Sequence, residues 1–153
     1  MKKLVLIAVV ASLVFAWGCA KKVKTEPQQV VVQEQGMDKV LTPLERYDQD
    51  YYAKLPTAHT VKKGECLWWI AEYKQIYNDP FMWPFIYKAN RDQIKNPDLI
   101  YPGQNFSIPR AFTLDETKEN RKMAGAPWKK LEPAATAVIP GAMRQALGYS
   151  LDY

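Results

Sequence analysis

Residues 59–71 read HTVKKGECLWWIA, and the fold turns on how that stretch is parsed. Its opening, His59 to Gly64, carries β-branched Thr60 and Val61 and ends on a glycine, the pattern of a short strand closed by a turn. Leu67 then starts an apolar series in which Ile70, Ala71 and Lys74 follow at helical spacing. Asn78-Asp79-Pro80 breaks that series. Beyond the break, Trp83, Ile86, Tyr87 and Asn90 stand at i, i+3, i+4 and i+7, which predicts a second short helix with Pro84 in its first turn. KNPDLIYPGQ, residues 95–104, is a turn-rich connector, and the alternating NFSIP of residues 105–109 predicts a second strand stopped by Pro109.

Strand, helix, helix and strand thus follow one another in about fifty residues. A unit so small has a small core, in which large aromatic side chains are expected. Leu67, Ile70 and Ala71 read as core, as do Trp83, Ile86 and Tyr87. At 100° per residue Trp69 falls on the side of Tyr73 and Ile76, which predicts an apolar environment. Trp68 falls with Glu72 and Gln75 on a polar face. It is the anomaly, free to meet a ligand, a partner protein or the C-terminal tail, the tail being the first expectation. His59, the only histidine of the chain, reads as a surface or edge residue, and Cys66 as a small half-buried filler.

The flanks are of different character. Residues 20–56 read as a polar, Gln-rich linker containing Pro27 and Gly36, although TPLERYDQDYYAKLP (residues 42–56) offers a short helix started by a Thr42–Glu45 capping box. Residues 111–153 form a tail of unassigned role. Thr113 and Glu116 are in capping-box register there, Gly125 is a plausible stop, and a helix is expected near Ala142 to Leu147. Lys129-Lys130 reads as solvated surface.

Two segments together, HTVKKGECLWWIA and NPDLIYPGQNFSIP (residues 96–109), resemble the LysM domain over roughly residues 58–109. The resemblance implies an α+β fold in which a two-stranded antiparallel sheet packs on two helices, over a domain spanning residues 57–110. It also implies binding of N-acetylglucosamine-containing glycan between two loops. Mapped onto this chain, one lip is Gly64, Glu65, Cys66 and Leu67, and the other is Pro97, Asp98, Leu99, Ile100 and Tyr101. Turns at Gly64, Pro97, Pro102 and Gly103 would hold backbone donors and acceptors open toward a neutral sugar. Leu99 and Ile100 would floor a shallow groove for acetamido methyls. The family's usual Asp-Thr is replaced by Glu65-Cys66, and a thiol caps a helix poorly.

At the N-terminus, MKK followed by LVLIAVVASLVFAW and Gly18-Cys19 resembles a lipoprotein signal. It implies a signal peptide at residues 1–18, and at 19–56 a linker whose lipid-modified first residue is Cys19. Ala16 and Trp17 depart from the family's Leu and small residue. Ala20 in place of Asp favours the outer membrane, with the protein facing the periplasm.

The remaining exclusions are compositional. A formal net charge of +5 with no dense Lys/Arg stripe gives no sign of nucleic-acid binding. With Cys19 assigned to lipid, Cys66 and His59 leave no zinc set, and there is neither a second histidine or cysteine for a metal or Cys–His site nor a convincing carboxylate pair, so no metal, cofactor or catalytic residue is expected. Outside the glycan-binding unit, too little chain remains for a hydrolase fold. The expected function is therefore a non-catalytic peptidoglycan-binding lipoprotein of the cell envelope. The alternative is a structural subunit of an envelope assembly, contacting protein through the Trp68 face or the tail.

Overall fold

The computed structural model describes residues 40–153. The signal peptide, Cys19 and the first half of the predicted linker lie outside the described residues. Among these the elements are α1 (Pro43–Arg46), a π-helical turn (Tyr47–Tyr51), a 3-10 turn (Tyr52–Lys54), β1 (Ala58–Thr60), α2 (Leu67–Glu72), a 3-10 turn (Pro80–Met82), α3 (Trp83–Ala89), β2 (Asn105–Ser107), α4 (Leu114–Met123), a 3-10 turn (Trp128–Lys130) and α5 (Gly141–Ala146).

The central unit is the predicted α+β arrangement. β1 and β2 pair antiparallel with His59 opposite Phe106, and Val61 and Ile108 extend the pairing through bonds to Gln104 and Thr57. Phe106 points to the core and is fully buried, while its neighbours on the strand are exposed, as the period of two requires. Asn90 closes the end of α3. Its buried side-chain amide donates to Ile86 O and Ser107 O and accepts from Ser107 N, which ties the helix to β2. A buried amide is tolerated where it is so fully paired.

α2 is shorter than the periodicity implied. It stops at Glu72, because Tyr73 turns to an extended ψ of 134°. Tyr73 and Ile76 are therefore not on the helix, and the apolar face they seemed to give Trp69 does not exist. Trp69 is 54% exposed, the opposite of its predicted environment. Ile70 and Ala71 are fully buried, as expected.

Both flanks fold onto this unit. Residues 43–54, placed in the linker by composition, are helical. They begin with the expected capping box, in which Thr42 and Glu45 exchange side-chain to backbone bonds. The linker reading fails there because Tyr47 and Tyr52 are buried, with partners distant in sequence. Tyr47 donates its hydroxyl to Ile139 O, and Tyr52 donates to Arg110 O. Burial pushes the Tyr47 phenol up to about 12, so it remains a donor throughout the physiological range.

The tail is part of the core as well. Ala137, Ile139 and Met143 join the cluster of Ile70, Ile86 and Phe106, and Phe112 packs against Phe85 with tilted rings and centroids 4.5 Å apart. α4 has the predicted Thr113–Glu116 capping box, and α5 covers most of the predicted C-terminal helix. Gly141 starts α5 directly against α1, where a Cβ would lie 2.6 Å from Leu44 and 2.7 Å from Asp48. Any larger residue there would have to displace the side chains of Leu44, Tyr47 and Asp48.

Three arginines fasten these layers. Arg110 donates to the carbonyls of Pro56, Gln75 and Ile76. Arg121 pairs with buried Asp79 and donates to Lys130 O. Arg144, also buried, donates to Ala135 O, Ala137 O and Ser150 O.

Candidate glycan-binding groove

The first lip is held by a carboxylate turned inward. Gly64 sits at φ +87°, a conformation that suits glycine, and brings Glu65 back over β1. Glu65 accepts from Lys62 N at 2.8 Å and from the Tyr73 hydroxyl at 2.7 Å, and His59 Nε2 lies 2.8 Å from it. Its side chain is only 6% exposed. Glu65 is thus a brace that fixes the lip to β1 and to the end of α2, and it is not among the residues that line the groove described below.

Desolvation works against the charged form of Glu65, but the bonds from Lys62, His59 and Tyr73 outweigh it and hold the carboxyl below its ordinary value of 4.5. The same bond raises the Tyr73 phenol. A depressed carboxyl pKa contributes stability above the ordinary value, and that contribution is lost as pH falls through the depressed one. The melting-temperature difference between wild type and Glu65→Gln should accordingly hold steady from neutral pH to about 5 and shrink below about 4.5. A difference that stays constant into strong acid would remove the brace from this account.

Cys66 is the N-cap of α2, with extended backbone and no side-chain capping bond. It is exposed, contrary to the half-buried filler expected. Cys66→Thr should supply the missing cap and raise stability by about 0.5–1 kcal/mol, read as a melting temperature a few degrees higher. An unchanged or lower midpoint would count against the capping assignment.

The two lips meet. An open groove of about 260 Å³ is lined by Cys66, Leu67, Trp68, Trp83, Pro97 and Asp98. Four of these were expected, and Trp68 and Trp83 were not. Leu67 is buried and forms the floor from beneath. Trp68, 36% exposed, stands as a wall whose ring meets Phe81 edge-on at 4.9 Å. Phe81 is backed in turn by the Arg121 guanidinium, 5.3 Å from its ring. The tail therefore supports Trp68 through Phe81, in place of the direct contact expected. Trp83 is half-buried and packs beside Tyr87 with centroids 6.2 Å apart.

The other predicted residues fall elsewhere. Gly64 and Glu65 build the lip without lining the groove. Ile100 packs against the core, so it does not form the floor, and Leu99 and Tyr101 stand more than half exposed outside the lining. The second lip is shaped by an Asn96 turn, with Asn96 Oδ1 accepting from Asp98 N and Asn96 O from Leu99 N. Larger depressions of about 670 Å³ near Tyr52 and Phe112 and about 370 Å³ along Asn90 and β2 join neither lip to the other. The smaller groove is the one with aromatic walls and turn backbone from both motifs, the makeup of a sugar site.

A family model described as the LysM domain matches residues 83–109, which run from α3 through the second lip to β2. The chain contains a LysM domain. The rest of that βααβ unit, β1 and α2 with the first lip, precedes the matched span and pairs with it. LysM is a binding module, and such domains bind N-acetylglucosamine-containing glycans such as peptidoglycan. The chain is similar to Treponemal membrane protein B of Treponema pallidum, 42% identical over 48 residues, and to potassium binding protein Kbp of Escherichia coli, 43% identical over 51 residues. The LysM-sized matches cover 29% and 33% of this chain but only 15% and 33% of those relatives. No solved structure gives a significant match.

Proposed function

We propose that this protein is a non-catalytic peptidoglycan-binding lipoprotein of the bacterial envelope. In this reading it is attached to the outer membrane through Cys19, faces the periplasm, and holds wall glycan in the groove between its two LysM lips. The observation that carries the reading is the convergence of Cys66, Leu67, Pro97 and Asp98 on one groove walled by Trp68 and Trp83. Indole faces suit the apolar faces of a pyranose, and turn backbone at the lips suits hydroxyls and acetamido groups. Asp98 is the one charged side chain in the lining, which favours sugar units without an acidic substituent at that position.

The test is co-sedimentation of the full chain with insoluble peptidoglycan. Wild type should be retained, and Trp68→Ala should weaken retention about tenfold, the equivalent of 1.4 kcal/mol. Retention of wild type no better than a carrier protein of similar charge would overturn the reading. Retention that survives both Trp68→Ala and Trp83→Ala would move the glycan out of this groove.

A further inference from the structure

Residues 121–130, RKMAGAPWKK, run from the last turn of α4 to the end of the Trp128–Lys130 turn and make a loop closed at both ends on Arg121. Ala126 N donates to Arg121 O at 2.9 Å, and the Arg121 side chain donates to Lys130 O at 2.9 Å while it pairs with buried Asp79. Gly125 N to Lys122 O and Lys130 N to Pro127 O brace the interior of the loop. The loop is fixed to the domain, yet its large apolar side chains face outward. Trp128 is 77% exposed and Met123 is 53% exposed.

The charges beside them in the sequence that remain free of ion pairs are of one sign. Lys122, Lys129 and Lys130 are exposed, and the ten residues include no carboxylate. Among the described residues none of these three ammonium groups has an ion-pair partner; Lys129 Nζ instead lies 5.5 Å from the centre of the Trp128 ring. The neighbouring Glu132 is engaged by Lys118.

From this juxtaposition we propose that the 121–130 loop is a contact for an anionic phospholipid surface. Trp128 and Met123 enter the boundary between headgroups and acyl chains, and Lys122, Lys129 and Lys130 meet lipid phosphates. Tryptophan prefers that boundary because its ring is apolar and its N–H polar, and lysines near it extend their ammonium groups to the headgroups. Each lysine close to an anionic surface strengthens binding by about fivefold at low salt. A folded protein partner is a poorer match. One indole and one thioether fall well short of the area a stable protein interface buries, whereas a lipid surface requires no shape complementarity. A glycan is poorer still, since Trp128 lines none of the grooves described above. The contact does not depend on the glycan-binding reading.

The full chain, in vesicles of equal parts phosphatidylglycerol and phosphatidylcholine with brominated acyl chains, tests the assignment by tryptophan quenching. The emission of Trp128 is the difference between wild type and Trp128→Phe, which cancels every other indole. That difference should be strongly quenched in the mixed vesicles and unquenched in pure phosphatidylcholine. It should recover when salt is raised, because surface charges are screened within about 8 Å at physiological ionic strength. A combined Lys122→Gln, Lys129→Gln, Lys130→Gln variant should lose the quenching to the level of pure phosphatidylcholine. Its exposed substitutions should leave the melting temperature unchanged, as should Trp128→Phe. Equal quenching in both vesicle types, or quenching that survives the triple variant, would overturn the proposal. Sedimentation with peptidoglycan is the control arm and should be unaffected by either variant. If they weaken it while lipid quenching is absent, the loop contacts wall polymer and the membrane assignment is wrong.

Discussion

A chain ending at Arg110 is expected not to fold, even though it retains every residue of the LysM motif. Truncation strips Ala137, Ile139 and Met143 from the cluster that holds Ile70, Ile86 and Phe106, and removes Phe112 from Phe85 and Tyr77. A fully buried side chain of this size stabilises by about 1.5–3 kcal/mol, so the loss is comparable to the whole stability of a small domain, about 5–15 kcal/mol. Polar losses add to this. Val138 N no longer donates to Tyr77 O, and Asp79 loses its pairing with Arg121. The measurement is a thermal melt by circular dichroism together with near-ultraviolet dichroism of the tryptophans. No cooperative transition should appear. A cooperative melt of residues 57–110 alone would show that the tail is an accessory.

Arg121→Met should be the most damaging single substitution, at about 3–5 kcal/mol, because it leaves a buried carboxylate without its cation. The melting temperature should fall by roughly 10–25 °C. The double variant Asp79→Leu, Arg121→Met should recover much of the loss, since removing both charges removes the unpaired one. Recovery will be incomplete, because Asp79 also accepts from Phe81 N and caps the Pro80–Met82 turn. Glycan retention offers a second readout. Arg121 lies against Phe81, which supports Trp68, so the double variant should refold and yet hold glycan more weakly than wild type. A loss below about 1 kcal/mol in the single variant would mean that water reaches Asp79.

What was legible in the sequence was local. The Thr42–Glu45 and Thr113–Glu116 boxes need only three residues of separation, and both formed. The strands around Thr60 and Phe106 announce themselves by alternation and by the turns beside them. The reading of Trp69 failed for an identifiable reason: a helical wheel assumes that the helix continues, and α2 ends at Glu72. Projecting Tyr73 and Ile76 onto it gave Trp69 an apolar environment that it does not have, while Trp68 is exposed as its polar face implied. Trp83 gave no sign of lining a groove, because its spacing with Ile86 and Tyr87 looks the same whether the ring faces core or cleft. The buried arginines were invisible for another reason. No motif or spacing marks Arg110, Arg121 and Arg144, and only the fold reveals the carbonyls and the carboxylate that receive them. The same holds for Tyr47, whose hydroxyl finds its acceptor 92 residues away.

That last separation bears on how the domain comes into being. Tyr47 bonds to Ile139 O, and Gly141 N donates to Asp48 Oδ1 across 93 positions. Folding rate falls as contacts become more distant along the chain, because loop closure must precede the contacts that compensate for it. Synthesis delivers the first partner of each pair long before the second. Tyr47 and Asp48 therefore wait for their partners until residues 139–141 have been made. Closure of this domain follows their arrival, and a nascent chain that stops short of them still lacks the bridge between its two flanks.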